Sequence, residues 1–155
     1  MTGMIEPLQP AEALVRLSHM VQHVFADVSR DHGLTPQQTQ LLCRLVRGPV
    51  PMGTLATALH LERSGLSGLV DRVERRGLVE RVRDPHDRRI WHAALTPPGQ
   101  TTAEAAHQAI VTRLDTFLLD LAPDLRALLG PIVTTLLTAH TNSTGVPWLL
   151  PAPTP

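Results

Sequence analysis

Apolar residues recur at helical spacing from Ala11 to about Arg30: Leu14, Leu17, Val21, Val24, Phe25 and Val28 form one stripe, with Arg16, His19, His23 and Arg30 opposite. This predicts an amphipathic helix. Gly33 breaks it, and Thr35 followed by Pro36 supplies a cap and a first-turn proline for a second helix running to about Arg47. The run Gly48-Pro49-Val50-Pro51 ends that helix. Thr54 is placed to cap a short third helix carrying Leu55, Ala56 and Leu59, and Leu61-Glu62-Arg63 forms the turn into a fourth, expected to start at Ser64. In that fourth helix Leu66, Leu69, Val70 and Val73 share one face, which turns Ser64, Ser67, Gly68, Asp71 and Arg75 outward with Arg72 at the flank.

Gly77 stops the fourth helix. Two alternating runs, 78–83 and 89–95, then flank the turn-forming segment Asp84-Pro85-His86-Asp87-Arg88, which predicts a β-hairpin with an arginine-rich tip. Thr96-Pro97-Pro98-Gly99 introduces a long fifth helix with Ile110, Val111, Leu114, Phe117, Leu118 and Leu121 on one stripe. After Ala122-Pro123 a sixth repeats the pattern with Leu125, Leu128, Leu129, Ile132, Val133, Leu136 and Leu137, and Gly130-Pro131 is expected to kink or interrupt it. From Thr141 the chain is proline-rich and expected to be irregular, with Trp148-Leu149-Leu150 able to dock on a neighbouring surface.

These stripes exceed what one small domain can cover, so the expectation is a homodimer built on the first, fifth and sixth helices. The 155 residues then divide into an N-terminal dimerisation helix (1–33), a central helix-and-hairpin domain (34–99), C-terminal dimerisation helices (100–140) and a proline-rich tail (141–155). No apolar run approaches the roughly 20 residues of a bilayer span, and the first ten residues lack a signal-peptide pattern, so no membrane partner and a cytoplasmic location are expected.

Charge changes the picture only through its distribution. The formal net charge is zero, which by itself disfavours a nucleic-acid partner. All 14 basic residues are arginines, however, and eight of them fall in one stretch: Arg63, Arg72, Arg75, Arg76, Arg81, Arg83, Arg88 and Arg89. Arginine's planar fork of donors suits phosphates and guanine edges. Glu62, Asp71, Glu74, Glu80, Asp84 and Asp87 share the stretch, so on charge alone a solvated mixed surface explains it equally well.

A short helix, a turn, a second helix and a hairpin form an arrangement in which the second helix enters the major groove and the hairpin reaches an adjacent minor groove. Over residues 34–99 the chain resembles the multiple-antibiotic-resistance regulator (MarR) family, through VDRVERRGLV at 70–79, DPHDRR at 84–89 and LTPPG at 95–99. The resemblance implies a mainly α fold with a small β-hairpin wing: a winged helix-turn-helix domain plus N- and C-terminal helical dimerisation regions. It implies a dimeric transcriptional regulator, a repressor relieved by a small-molecule effector, on double-stranded DNA with a pseudo-palindromic operator.

By position, the recognition helix falls on 64–76 and the wing on 83–89. The DNA-contacting set so implied is Thr54, Arg63, Ser64, Ser67, Arg72, Arg75, Arg83, Arg88 and Arg89, with Asp87 holding the wing turn. Arg89 is the side chain implied for the minor groove, although the sequence leaves open which of Arg88 and Arg89 points at DNA. Ser64 reads equally as a helix cap and as a DNA contact, and Asp71 is better explained by pairing with an arginine than by reading a base.

His19 and His23 lie one helical turn apart, a metal-compatible spacing, but two ligands do not complete a site and no metal or cofactor is expected. Cys43 does not sit where the family's peroxide-sensing cysteine does, so it reads as a small buried residue. Family effectors are small and often anionic aromatics, and Arg16, His19, His23 and Arg47 are the candidate effector contacts. No nucleophile elbow, phosphate loop or metal signature supports an enzyme. The alternatives carried forward are a winged-helix protein-interaction module without specific DNA binding, and a redox- or metal-responsive regulator.

Overall fold

The computed structural model describes residues 7–145. Its elements run α1 (Pro10–Asp31), α2 (Pro36–Leu45), β1 (Val50–Pro51), α3 (Met52–Ala58), α4 (Arg63–Arg75), β2 (Val79–Arg83), β3 (Trp91–Leu95), α5 (Pro97–Leu118) and α6 (Pro123–Thr144). Trp148, Leu149 and Leu150 lie outside the described residues.

Local chemistry sets the helix starts. Pro36 is the first residue of α2, and Thr35 and Gln38 close a reciprocal capping box: the Thr35 hydroxyl accepts from the Gln38 N–H at 3.2 Å while the Gln38 side chain accepts from the Thr35 N–H at 3.1 Å. Two expected caps are corrected. Helix α3 begins at Met52 behind Pro51, so Thr54 lies inside it, and α4 begins at Arg63 with Glu62 at the cap position, so Ser64 is its second residue. Gly77, at φ +72, supplies the left-handed residue that lets the chain leave α4 for β2.

The three strands pair antiparallel in the order β1-β3-β2, with Val50 opposite Ala93 and Arg83 opposite Trp91. The segment 48–51, read from sequence only as a helix terminator, therefore contributes an edge strand. Pro51 is tolerated there because an edge strand leaves one side of its ladder unpaired.

Leu41, Leu42, Leu45, Leu55, Leu66, Leu69, Val70, Val73 and Val79 are completely buried and form the core of the central domain. A smaller cluster of Val24, Val28, Ala106 and Ile110 joins α1 to α5, and the Arg113–Asp31 ion pair at 2.7 Å adds to it. Ser29 and Thr39 meet at 2.7 Å between α1 and α2. The single hydroxyl hydrogen of Ser29 goes to the Phe25 carbonyl, so Thr39 is the donor in that pair.

Outside these clusters the apolar stripes are bare. Leu14, Leu17, Phe117, Leu125, Leu128, Ile132 and Leu136 are all exposed, and no residue of α6 is buried. Helix α6 also runs unbroken through Pro131 to Thr144, past the interruption expected at Gly130-Pro131 and into the stretch expected to be irregular from Thr141. Gly130 has no Cβ to meet the proline ring, which removes the usual conflict with a residue preceding proline. No helix among the described residues is long and apolar enough to cross a membrane.

Candidate nucleic-acid interface

The apolar face of α4 (Leu66, Leu69, Val70, Val73) packs into the core, which leaves Arg63, Ser64, Asp71, Arg72 and Arg75 exposed and Ser67 half-buried. The exposed start of α4 and the wing open onto one cleft of about 620 Å³ whose walls include Arg63, Ser67, Arg81 and Arg89, with Ile90 and Trp91. The structure thus brings together three residues singled out in the sequence, Arg63, Ser67 and Arg89. Thr54, Arg72, Arg75, Arg83 and Arg88 do not line this cleft. Thr54 is half-buried in α3, Arg72 lies beside Gly68, and Arg75 donates from Nε to the Asp71 carbonyl at 3.3 Å, one turn back on α4.

The wing is held by its own acids. Asp84 Oδ1 accepts the N–H groups of His86 at 2.7 Å and Asp87 at 2.8 Å, and Oδ2 lies 3.0 Å from His92 Nε2 on β3. The Asp87 bond first, then that from His86, keeps the Asp84 carboxyl below the ordinary aspartate pKa, and the nearby His92 and His86 rings act in the same sense. Asp87 Oδ1 in turn accepts from the Arg89 N–H at 3.0 Å and from Arg89 Nε at 3.2 Å. Arg89 leaves this turn with 92% of its side chain exposed. Arg83 stacks its guanidinium 3.8 Å from the Trp91 ring centre and donates to the Arg88 carbonyl, bracing the stem.

Asp84 and His92 were missed in the sequence. An aspartate opening a Pro-containing turn was the available signal for Asp84, whereas His92 is brought near it only by strand pairing. Asp71 does pair with an arginine, and that partner is Arg81, at 2.6 Å.

A second region lies where α1, α2 and α5 approach. His19 and His23 line a cavity of about 430 Å³ with Phe25, Pro36 and Gln40. A neighbouring cavity of about 630 Å³ is lined by Phe25, Cys43, Arg44, His60 and His107. Arg16 instead pairs with Glu12 at 2.7 Å along α1, and Arg47 lies beyond the end of α2; neither borders these cavities. Arg44, half-buried, borders the larger cavity, and burial lowers its pKa. The same partial burial pushes the Cys43 thiol up to about 11. No group of three potential metal ligands occurs among the described residues.

The sequence profile of the MarR family matches residues 32–90. The homoprotocatechuate degradative operon repressor of Escherichia coli is 30% identical over 99 residues, covering 63% of this chain and 67% of that repressor. The chain belongs to the MarR family. In structure it is similar to wild-type MarR from E. coli (TM-score 0.72, 23% identity, 86% of this chain and 99% of that one). It is also similar to NadR in complex with 4-hydroxyphenylacetate (TM-score 0.70, 23% identity, 88% of this chain and 97% of that one). This chain is therefore a MarR-family, DNA-binding transcriptional regulator with a winged helix fold.

Proposed function

We propose that two copies of this MarR-family chain pair through α1, α5 and α6 and act in the cytoplasm as a repressor. The dimer presents its two α4 helices to successive major grooves of a pseudo-palindromic operator. The observation that carries the docking is the shared cleft: Arg63 and Ser67 from α4 and Arg89 from the wing face the same space. Ser64, freed from capping, stands at the exposed start of α4 with Arg63, while Arg72 and Arg75 extend the contact along the helix. Arg89 is favoured over Arg88 for the minor groove because Asp87 aims it, nearly all of its side chain is exposed, and it borders the cleft shared with α4, which Arg88 does not. Pairing is supported by the bare apolar faces of α1, α5 and α6.

The effector is assigned to the cavities between α1, α2 and α5. Half-buried Arg44 offers positive charge beside Phe25, and His60 and His107 add hydrogen-bonding ring nitrogens, a lining that suits a small aromatic anion. NadR, seen with 4-hydroxyphenylacetate, is a family precedent for such a ligand.

Selection of binding sites from random DNA, at two salt concentrations, tests this reading. Recovery of imperfect palindromes, with affinity falling steeply as salt rises, is expected. Arg89→Ala should weaken binding to the selected duplex without lowering the unfolding temperature. Asymmetric single sites, or no enriched sequence from a folded protein, would refute the docking and favour a protein-interaction module.

A further inference from the structure

Helix α4 carries two acids, Asp71 and Glu74, on the element assigned above to the major groove, where carboxylates repel phosphate. Arg81 on β2 meets both. Its Nη2 lies 2.6 Å from Asp71 Oδ1, its Nη1 bonds Glu74 Oε2, and its backbone N–H donates to Glu74 Oε1 at 3.3 Å. The same Nη2 donates to the Ser67 hydroxyl oxygen at 3.3 Å. Only 22% of the Arg81 side chain is exposed, and it borders the cleft shared by Arg63, Ser67 and Arg89.

We propose that Arg81 is a positioning residue for DNA contact by α4, acting in two ways. It neutralises the two carboxylates: α4 alone holds three arginines against two acids, and Arg81 doubles that net charge of one. It also donates to one lone pair of the Ser67 hydroxyl, which holds that side chain in place while its hydrogen and second lone pair remain for a group in the cleft. The wing strand thereby sets the charge of the recognition helix and the position of its Ser67 hydroxyl. This rests on α4 facing DNA as proposed above.

The probe is the duplex enriched from random DNA by the wild-type chain. Arg81→Gln should weaken binding roughly tenfold, because Asp71 and Glu74 then lose their ion-pair partner and the net charge facing phosphate is halved. Adding Asp71→Asn and Glu74→Gln to Arg81→Gln should bring affinity back to within about threefold of wild type. A residue that merely braced the wing predicts no such rescue, since the triple variant lacks the brace as well. Arg81→Lys, which keeps the charge, should lose no more than about threefold, and is read in place of Arg81→Gln if the glutamine variant does not fold. Unchanged binding by Arg81→Gln, a folded triple variant no better than Arg81→Gln, or a tenfold loss in folded Arg81→Lys would each overturn the proposal. A wild-type chain that enriches no duplex overturns the docking reading itself, and this proposal with it.

Discussion

Replacing Gly99 with alanine should destabilise the protein, although the residue lies in a helix where alanine is ordinarily the better choice by about 0.5–1 kcal/mol. A Cβ at this position would stand 1.7 Å from the Leu78 carbonyl oxygen and 2.7 Å from its carbon, both backbone atoms with no rotamer to yield. The start of α5 would have to retreat from the wing stem by roughly 1.5 Å to restore ordinary contact. That retreat stretches the Thr96 N–H bond to the Leu78 carbonyl, now 3.1 Å, and the Thr96 hydroxyl bond to the Gly77 carbonyl.

Overpacking costs about 1–3 kcal/mol and each weakened hydrogen bond about 1, so even after the helix-propensity gain the net loss is about 3 kcal/mol. For a chain of this size that lowers the thermal midpoint by roughly 6–12 °C. Thermal unfolding followed by circular dichroism measures it, with Gly53→Ala as the control, because a Cβ on Gly53 meets nothing within 4 Å. A Gly99→Ala protein that melts at or above the wild-type temperature would refute the close-approach argument.

Two further outcomes follow from the titratable groups. The Asp84 carboxyl is held below its ordinary pKa in the folded wing, so its contribution is fully present above the unfolded value of about 3.9 and is lost as pH falls through the folded one. The gap in thermal midpoint between wild type and Asp84→Asn should therefore narrow as pH drops below that range, and a gap that widens there would reverse the assignment. Cys43, at about 11 against an ordinary 9.0, should hold about a hundredfold less thiolate than a free cysteine. Iodoacetamide should modify it correspondingly slowly at neutral pH, and alkylation at the free-thiol rate would mark it as reactive after all.

The elements that were legible in the sequence are those whose cause is local. Thr35, Pro36 and Gln38 open α2 through their own side chains, the 66–73 periodicity fixes the buried face of α4, and Gly77 stops it. What was not legible depends on distant partners. Val50 and Pro51 form a strand only because Ala93 and His92 lie alongside them. Arg81 looked like one cation among eight until β2 packed beside α4 and delivered it to Asp71 and Glu74. At the cavity proposed for an effector it is Arg44, not Arg47, that forms part of the wall, since α2 ends at Leu45 and Arg47 lies beyond it.

The junction around Leu78 bears on how an effector would reach DNA on the proposed reading. Ala106 and Ile110 of α5 pack against α1, while His107, between them in sequence, borders the larger cavity. About two to three turns toward its N-terminus the same helix begins, and there Thr96 and Gly99 lie against the backbone of Gly77 and Leu78 at the start of the wing. No flexible side chain on Gly99 cushions that contact. A ligand that displaces α5 at His107 therefore acts on a rigid helix whose start abuts the wing stem, and Arg81, three residues beyond Leu78, links that stem to α4. A shift of α5 would move the wing stem through this junction, and it would reach the recognition helix both through Arg81 and through the core that Ala103 of α5 shares with Leu66, Leu69, Val70 and Val73.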